Sequence, residues 1–355
     1  MNWIRGDWLG SGSFATVDLA KHIKPSVNIP SLTAVKSCEL SCSFTLQHEK
    51  TILESLGSCP YIIKYFGQDQ TLENGEEYYN IFLEYANGGT LDDQLKNHGG
   101  KLPEKHVRRY TRSVVEGLKY IHENGFVHCD LKPPNILVFE NGDVKISDFG
   151  LAKEMRVEED KKMRCKGTPM FMSPESVMDG VYDSPVDIWA LGCTVVEILT
   201  GKPAWNMGYD TNMMKLLVRI GVSEEVPLIP DEISEEAKDF LKKCFVRDPL
   251  KRWSAEMLLK HPFISDDGTV SSIKESTFSP ASPITHFEYS NWSSSTITTL
   301  PYNSSEMEGD AKLLDCLQEK RLNLRQLITT VEKSLNLLEY DNWCFGDQIR
   351  ILMSH

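Results

Sequence analysis

The spacing of hydrophobic residues divides the chain into segments of different predicted structure. Before about residue 85, short runs rich in β-branched and aromatic residues are typical of strands, at residues 14–20, 32–37, 62–66 and 78–84. Between them, residues 44–56 repeat their apolar side chains at helical spacing. This part is therefore predicted to be a small, mostly antiparallel sheet that carries a single helix.

From residue 90 to residue 263 the pattern becomes mainly helical. The longest periodic stretches are residues 104–124, 184–200, 233–244 and 254–260. A second, larger unit built mostly of helices is predicted there, so the predicted fold class is α+β.

Two further segments follow this unit. Residues 264–308 are crowded with Ser and Thr, are poor in apolar residues, and contain Ser-Pro at 279–280 and 282–283. Such a segment buries too little apolar surface to offset its ordering entropy, so a flexible linker is predicted. Residues 309–355 are predicted to be helical, because leucines recur there at helical spacing, interrupted at Arg321.

Composition and charge restrict the classes of function that are compatible with this chain. The 355 residues are 41% hydrophobic and 25% charged, as in ordinary globular proteins, and the formal net charge is −13. This charge disfavours a protein that binds nucleic acid through a broad basic face. The nine cysteines are scattered, without a Cys-x-x-Cys pair, which favours a reducing compartment. Apolar runs are too short for a membrane span, and a cytoplasmic location is expected, with the nucleus as an alternative.

Residues 128–150 carry the candidate chemistry. Asp130 is followed by Lys132 and Asn135, and Asp148 then precedes Phe-Gly. Together these residues offer a base, a cation that can face phosphate, and two metal ligands. Phosphoryl transfer requires such a set, because its transition state spreads negative charge that positioning, Mg²⁺ and cations stabilise.

A glycine-rich stretch near the N-terminus is a candidate phosphate loop. It has the form G-x-G-x-x-A-x-V at residues 10–17, and its glycines would let backbone amides approach phosphates closely. An ordinary hairpin is the alternative. The predicted nucleotide contacts of this stretch are Leu9, Gly10, Ser11, Gly12, Ser13 and Val17.

Lys36 is a candidate ligand of the α- and β-phosphates, because it ends a predicted apolar strand. A solvated strand-end lysine is the alternative. Glu49, on the predicted helix, is a candidate partner that would hold Lys36 extended. Glu54 competes for this role, but Glu49 is preferred because Leu53 lies one turn later and can pack inward.

Residues 84–91 are predicted to form the hinge between the two units, since a strand there runs into a glycine-marked connection. Backbone groups of Glu84 and Ala86 are candidates for pairing with an adenine edge. Leu83 would line the inner wall of that pocket. A plain linker is the alternative.

These motifs, in this order, resemble a eukaryotic Ser/Thr protein kinase domain over residues 3–263. The resemblance implies a bilobal protein kinase fold with a small β-rich N-lobe at residues 3–86 and a larger, mainly helical C-lobe at residues 87–263. The rest of the chain is then a C-terminal extension.

The resemblance also implies the cofactors ATP and Mg²⁺ and a role for each site residue. Asp130 would accept the proton of the substrate hydroxyl, and Lys132 would face the γ-phosphate. Asn135 and Asp148 would hold Mg²⁺. The implied nucleotide-binding set further includes Ala34, Lys36, Glu49 and Leu137.

Residues 167–175 and 187–205 are similar to those of plant MEKK-like mitogen-activated protein kinase kinase kinases. This resemblance implies a protein substrate that is a mitogen-activated protein kinase kinase. It also implies that Asp187 braces the catalytic loop and that Arg252 pairs with Glu175. A nucleotide-binding pseudokinase or scaffold is the alternative, and the helical segment 309–355 is predicted to dock on a partner or on the catalytic domain.

Cys129 stands where most protein kinases carry an arginine that pairs with a phosphate on the activation loop. Residues 151–166 contain no Ser, Thr or Tyr. We therefore hypothesise that this loop is not switched on by phosphorylation. The alternatives are a small buried thiol beside a loop ordered by Lys/Glu pairs, and a reactive cysteine.

Overall fold

The computed structural model describes residues 3–12, 15–24, 29–155, 167–206 and 213–265. The predicted linker, apart from its first two residues, and the predicted C-terminal helical segment lie outside the described residues. None of the described helices combines the length and the hydrophobicity that a membrane span requires.

The described strands of the N-lobe form one antiparallel sheet. They are β1 (Trp3–Ser11), β2 (Thr16–His22), β3 (Leu32–Glu39), β4 (Tyr65–Glu73) and β5 (Glu76–Leu83). Their order in the sheet is β1-β2-β3-β5-β4. One face buries Ala20, Val35 and Phe82. Because successive side chains point to opposite faces of a strand, Lys36 extends from the other face.

Helix α1 spans Phe44–Leu56, as the sequence pattern predicts. Its buried side consists of Leu46, Glu49, Ile52, Leu53 and Leu56. The helix ends at Gly57, whose φ of 68° favours glycine and whose N–H donates to the Leu53 carbonyl oxygen at 3.0 Å. Glu49 is thus a carboxylate on an otherwise apolar face, where burial is unfavourable unless a cation pairs with it.

The strand predicted at residues 62–66 is wrong in its bounds. Strand β4 begins at Tyr65 and continues through polar residues. Ile62 and Ile63 are buried in the connection before it, where the Ile63 N–H donates to the Ile146 carbonyl oxygen at 2.9 Å. Their hydrophobicity reflects this contact with the C-lobe, whereas the half-exposed β4 carries little apolar signal.

The C-lobe is mainly helical, as predicted. Its described helices are α2 (Leu91–Asn97), α3 (Glu104–Glu123), α4 (Pro174–Met178), α5 (Ser184–Thr200), α6 (Met213–Gly221), α7 (Glu235–Cys244) and α8 (Ala255–Leu258). Helix α5 is buried at every position from Val186 to Leu199, so it forms the centre of this lobe. The helices predicted within the C-lobe therefore agree with the structure to within a few residues, and the α+β, bilobal fold class is confirmed.

Two short strand pairs hold the loops that carry the candidate chemistry. The strands are β6 (Phe126–Val127), β7 (Ile136–Val138), β8 (Val144–Ile146) and β9 (Lys153–Glu154). Strand β6 pairs with β9, and β7 pairs with β8. Residues 128–135 lie between β6 and β7, and residues 147–152 lie between β8 and β9, so the pairs fix both ends of each loop.

Candidate active site

Lys36 lies at the centre of a three-residue ion-pair cluster. Its Nζ is 2.6 Å from Glu49 Oε2 and 3.0 Å from Asp148 Oδ1. Burial disfavours the charge on Lys36, but the two carboxylates outweigh it and raise the pKa of Lys36 above its ordinary value. The preference for Glu49 is confirmed, because Glu54 instead lies 3.5 Å from Lys50 on the helix surface.

Asp148 presents a carboxylate toward the cleft between the lobes. Its side chain is 42% exposed, and its φ of 63° belongs to the left-handed region that few residues other than glycine adopt. Burial opposes its ionisation, but Lys36 outweighs burial and lowers the pKa of Asp148 to about 2. The following Phe149 is fully buried against His128, with the ring centroids 4.9 Å apart. This buried ring anchors the strained backbone beside it.

Asp130 is held by three neighbours. Its Oδ1 accepts from the Thr168 N–H at 2.9 Å and from the Thr168 hydroxyl at 2.7 Å. Lys132 Nζ lies 2.8 Å from Asp130 Oδ2 and donates to Thr168 Oγ1 at 2.7 Å. Asn135 Nδ2 donates to the Asp130 carbonyl oxygen at 2.8 Å, so the amide oxygen is the atom of Asn135 that can bind a cation. Thr168 thereby joins the segment at residues 167–175 to the catalytic loop.

Asp187 on α5 braces the catalytic loop, as predicted. Its two carboxylate oxygens accept from the backbone N–H groups of His128 and Cys129, each at 2.9 Å. His122 Nε2 lies 2.9 Å from Asp187 Oδ2. Burial opposes its charge, but these bonds, led by His122, lower the pKa of Asp187. They also hold Cys129 at a φ of 68°, so the loop conformation depends on a residue 58 positions away.

The predicted ion pair between Arg252 and Glu175 is also present. Arg252 Nη1 and Nη2 lie 2.6 and 3.0 Å from the two Glu175 oxygens, and the Arg252 side chain is fully buried. The guanidinium additionally donates to the Pro185 carbonyl oxygen at 2.7 Å. The end of the substrate-side segment is therefore tied to the base of α5.

The described residues of the glycine-rich stretch, 10–12 and 15–17, stand at the facing ends of β1 and β2. The Gly12 N–H donates to the Ala15 carbonyl oxygen at 2.9 Å, and Val17 pairs with both Gly10 and Lys36. A Cβ added at Gly10 would meet nothing within 4 Å, so the glycine borders open space. Leu9 and Ser11 belong to β1, while Ser13 lies outside the described residues.

The hinge leaves particular backbone groups for a ligand. The Glu84 N–H donates to the Lys64 carbonyl oxygen, and the Ala86 carbonyl oxygen accepts from the Gly89 N–H. The Glu84 carbonyl and the Ala86 N–H are therefore the candidates for pairing with adenine. Leu83 pairs with Ala34 in the sheet above them.

Sequence reasoning missed Lys145, a residue of the C-lobe whose side chain binds Glu84 of the hinge. Its Nζ donates to both Glu84 carboxylate oxygens, at 2.8 and 2.7 Å. Lys145 also pairs with Leu137 between β8 and β7, which places Leu137 near the hinge. The role of Leu137 in nucleotide binding stays a prediction. No local spacing could reveal a pair that is 61 residues apart.

The residues fit Mg²⁺ and a nucleotide. Mg²⁺ prefers oxygen ligands and usually takes one or two carboxylates together with phosphates. Asp148 supplies an ionised carboxylate and Asn135 an amide oxygen, while Lys36 supplies a cation. Gly10, which borders open space, and the hinge backbone groups offer positions for the phosphates and the base.

The bilobal fold and this set of charged residues define a protein kinase, and residues 3–264 match the family described as "Protein kinase domain". The chain is 48% identical to Mitogen-activated protein kinase kinase kinase 20 of Arabidopsis thaliana, over 87% of this chain and 93% of that relative. It is 44% identical to Mitogen-activated protein kinase kinase kinase 17 of the same organism, over 75% of this chain and 70% of the relative. The chain belongs to the mitogen-activated protein kinase kinase kinase family and is a Ser/Thr protein kinase.

Proposed function

We propose that the chain transfers the γ-phosphate of ATP to a serine or threonine hydroxyl of a mitogen-activated protein kinase kinase. The arrangement of Asp130, Lys132 and Thr168 carries this proposal, since it presents a fixed base and a cation beside the segment that positions a peptide. The names of the relatives suggest the substrate class.

Each site residue has a separate task in this reaction. Asp130 Oδ2, which faces Lys132, accepts the proton of the substrate hydroxyl. Lys132 neutralises charge near the γ-phosphate, and Lys36 holds the α- and β-phosphates while Glu49 keeps it extended. Bound Mg²⁺, held by Asn135 and Asp148, would neutralise charge on the phosphates.

A phosphate-transfer assay tests both the proposed substrate class and the proposed role of Asp130. The full chain is incubated with labelled ATP, Mg²⁺ and a panel of kinase-inactive mitogen-activated protein kinase kinases from plants. We expect phosphorylation of serine or threonine in at least one panel member. Asp130→Asn should abolish transfer and leave nucleotide binding within about threefold, because the substitution preserves shape. Transfer by this variant at the wild-type rate would contradict the assigned base.

A pseudokinase or scaffold finds no support among the described residues. Lys36, Glu49, Asp130, Asn135 and Asp148 are all present, and their distances suit catalysis.

We also propose that activation does not require phosphate between residues 150 and 167. Cys129 packs against the apolar cluster of Val127, Tyr182 and Val186, which is an unfavourable environment for a phosphate. Residues 156–166 lie outside the described residues. Full activity of phosphatase-treated chain made in bacteria would support the proposal, and a need for loop phosphorylation would contradict it.

The remaining parts of the proposal concern residues 309–355 and the location of the protein in the cell. Residues 309–355 dock on a partner or on the catalytic domain. Deleting these residues should either raise the kinase activity of the purified chain or abolish its capture of a partner. A deletion that changes neither the activity nor the capture would contradict a docking role. A fluorescent fusion in plant cells is expected in the cytoplasm or nucleus, and a purely organellar signal would contradict that expectation.

A further inference from the structure

Helix α1 is joined to the segment that follows Asp148. Glu49 Oε1 accepts from the Phe149 N–H at 3.3 Å. Thr45 packs closely on Gly150, where an added Cβ would lie 2.9 Å from Thr45 Cγ2. His48 Nε2 lies 2.6 Å from the Ala152 carbonyl oxygen, and the ring donates this bond because a carbonyl can only accept.

His48 differs from the other two contacts in its chemistry. Thr45 makes only a van der Waals contact, and Glu49 already serves Lys36. The bond of His48 reaches across 104 positions of the chain to a backbone atom. Thr45 and His48 are three residues apart, so they lie on the same side of α1. Two directional bonds therefore join this face of the helix to the segment, those of Glu49 and His48, and the His48 bond is the shorter one and is not shared with Lys36.

The rotation of α1 matters for the Lys36 cluster. Glu49 is the neighbour of His48 on the helix, and its Oε2 must stay within reach of Lys36. A helix turned away from residues 149–152 would separate these groups, because each residue advances by 100° around the axis. Ala152 lies four residues beyond Asp148, so the bond also limits movement of the metal-binding carboxylate.

We propose that His48 is a positioning residue for phosphoryl transfer: its bond to the Ala152 carbonyl holds α1 against the segment after Asp148 and so keeps Lys36, Glu49 and Asp148 together. His48 touches neither substrate nor nucleotide in this role. The inference rests on the kinase activity of the chain and does not depend on which protein is the substrate.

The amide of glutamine and the thioether of methionine provide a matched pair of substitutions. Both side chains are unbranched and similar in length, and both suit the half-buried site. Only glutamine can donate a hydrogen bond to the carbonyl. His48→Gln and His48→Met therefore separate the bond from packing.

A third variant tests whether the loss of a histidine–carbonyl hydrogen bond elsewhere in the chain has the same effect. His98 Nδ1 bonds to the Gln94 carbonyl oxygen at 2.8 Å at the end of α2. This bond is local and distant in sequence from the Lys36 cluster. His98→Met removes the same chemistry there and should leave kcat within about 1.5-fold of wild type.

The full chain and its variants are assayed for kcat and for the KM of ATP with a generic acceptor protein. We expect His48→Met to lower kcat about 3- to 10-fold, the loss of one hydrogen bond, with KM changed less than about twofold. His48→Gln should stay within about twofold of the wild-type kcat.

Hydrogen exchange measured by mass spectrometry adds a readout that does not need turnover. In His48→Met, deuterium uptake should rise in peptides covering residues 44–56 and 149–155, with uptake elsewhere unchanged. Three results would each overturn the proposal: equal kcat values for His48→Met and wild type, equal losses for the Met and Gln variants, and unchanged exchange in both segments. If wild-type activity fails against every kinase kinase, the generic acceptor and the exchange data still decide the role of His48.

Discussion

Replacing Glu49 by glutamine removes the charge from the buried partner of Lys36 and keeps its shape. In the wild type, Lys36 Nζ lies 2.6 Å from Glu49 Oε2, and the two side chains are 12% and 1% exposed. After the substitution, Lys36 retains only Asp148, at 3.0 Å, as a charged partner. The ammonium is then drawn toward the carboxylate that is proposed to hold the metal.

The expected loss of activity can be estimated from the energy of the hydrogen bond between Lys36 and Glu49. A hydrogen bond between charged groups contributes about 1.5–3 kcal/mol, and the low exposure of this pair reduces screening by solvent. If that energy supports the position of Lys36 in the transition state, kcat/KM for ATP falls about 10- to 150-fold. The fold itself should tolerate the change, because glutamine fills the same space.

Glu54→Gln is the matched control. It makes the same substitution in the same helix, but its partner Lys50 lies 3.5 Å away and Glu54 is 49% exposed. Surface pairs of this kind contribute little, so kcat/KM should stay within about twofold. Steady-state kinetics with varied ATP measure both variants. A loss of less than threefold for Glu49→Gln, or equal losses for the two variants, would refute the reasoning.

Three further predictions concern the support of the site. Arg252→Met leaves the buried Glu175 carboxylate unpaired and should lower the free energy of unfolding in urea by about 3–5 kcal/mol, of which added Glu175→Gln should restore a part. The pKa of Asp187 is lowered in the fold, so its charge stabilises the protein fully above about pH 4 and progressively less as pH falls further; Asp187→Asn should be less stable at pH 7 and show a shallower decline below pH 4 in urea titrations at several pH values. Gly167→Ala would set a Cβ 2.5 Å from the Cys129 carbonyl oxygen at a φ of 103°, and should lower kcat about tenfold or more in the transfer assay.

Local patterns predicted much of the fold and of the site. Helix α1 and helix α5 were predicted with their observed bounds, because helical spacing is expressed within one segment. The catalytic loop was identified for the same reason, since Asp130, Lys132 and Asn135 lie within six consecutive residues. The choice of Glu49 over Glu54 also needed only the neighbouring Leu53.

Other features of the fold could not be predicted from local sequence patterns. Strand β1 was not predicted as a strand, because most of its residues are exposed and its pairing with β2 is interrupted by irregular register. Ile62 and Ile63 suggested a strand but instead pack in a connection against the C-lobe. In both cases the pattern reports burial, and burial alone does not distinguish a strand from a packed loop.

The sequence by itself determined the kinase motifs, their order and the α+β class, because each depends on residues close together in the chain. Only the tertiary structure decided that Lys36 meets Asp148, that Lys145 meets Glu84, and that His48 meets Ala152. These pairs are separated by 61 to 112 positions. The physical reason is that such contacts require the packed lobes, whose burial offsets the entropy lost in bringing distant segments together.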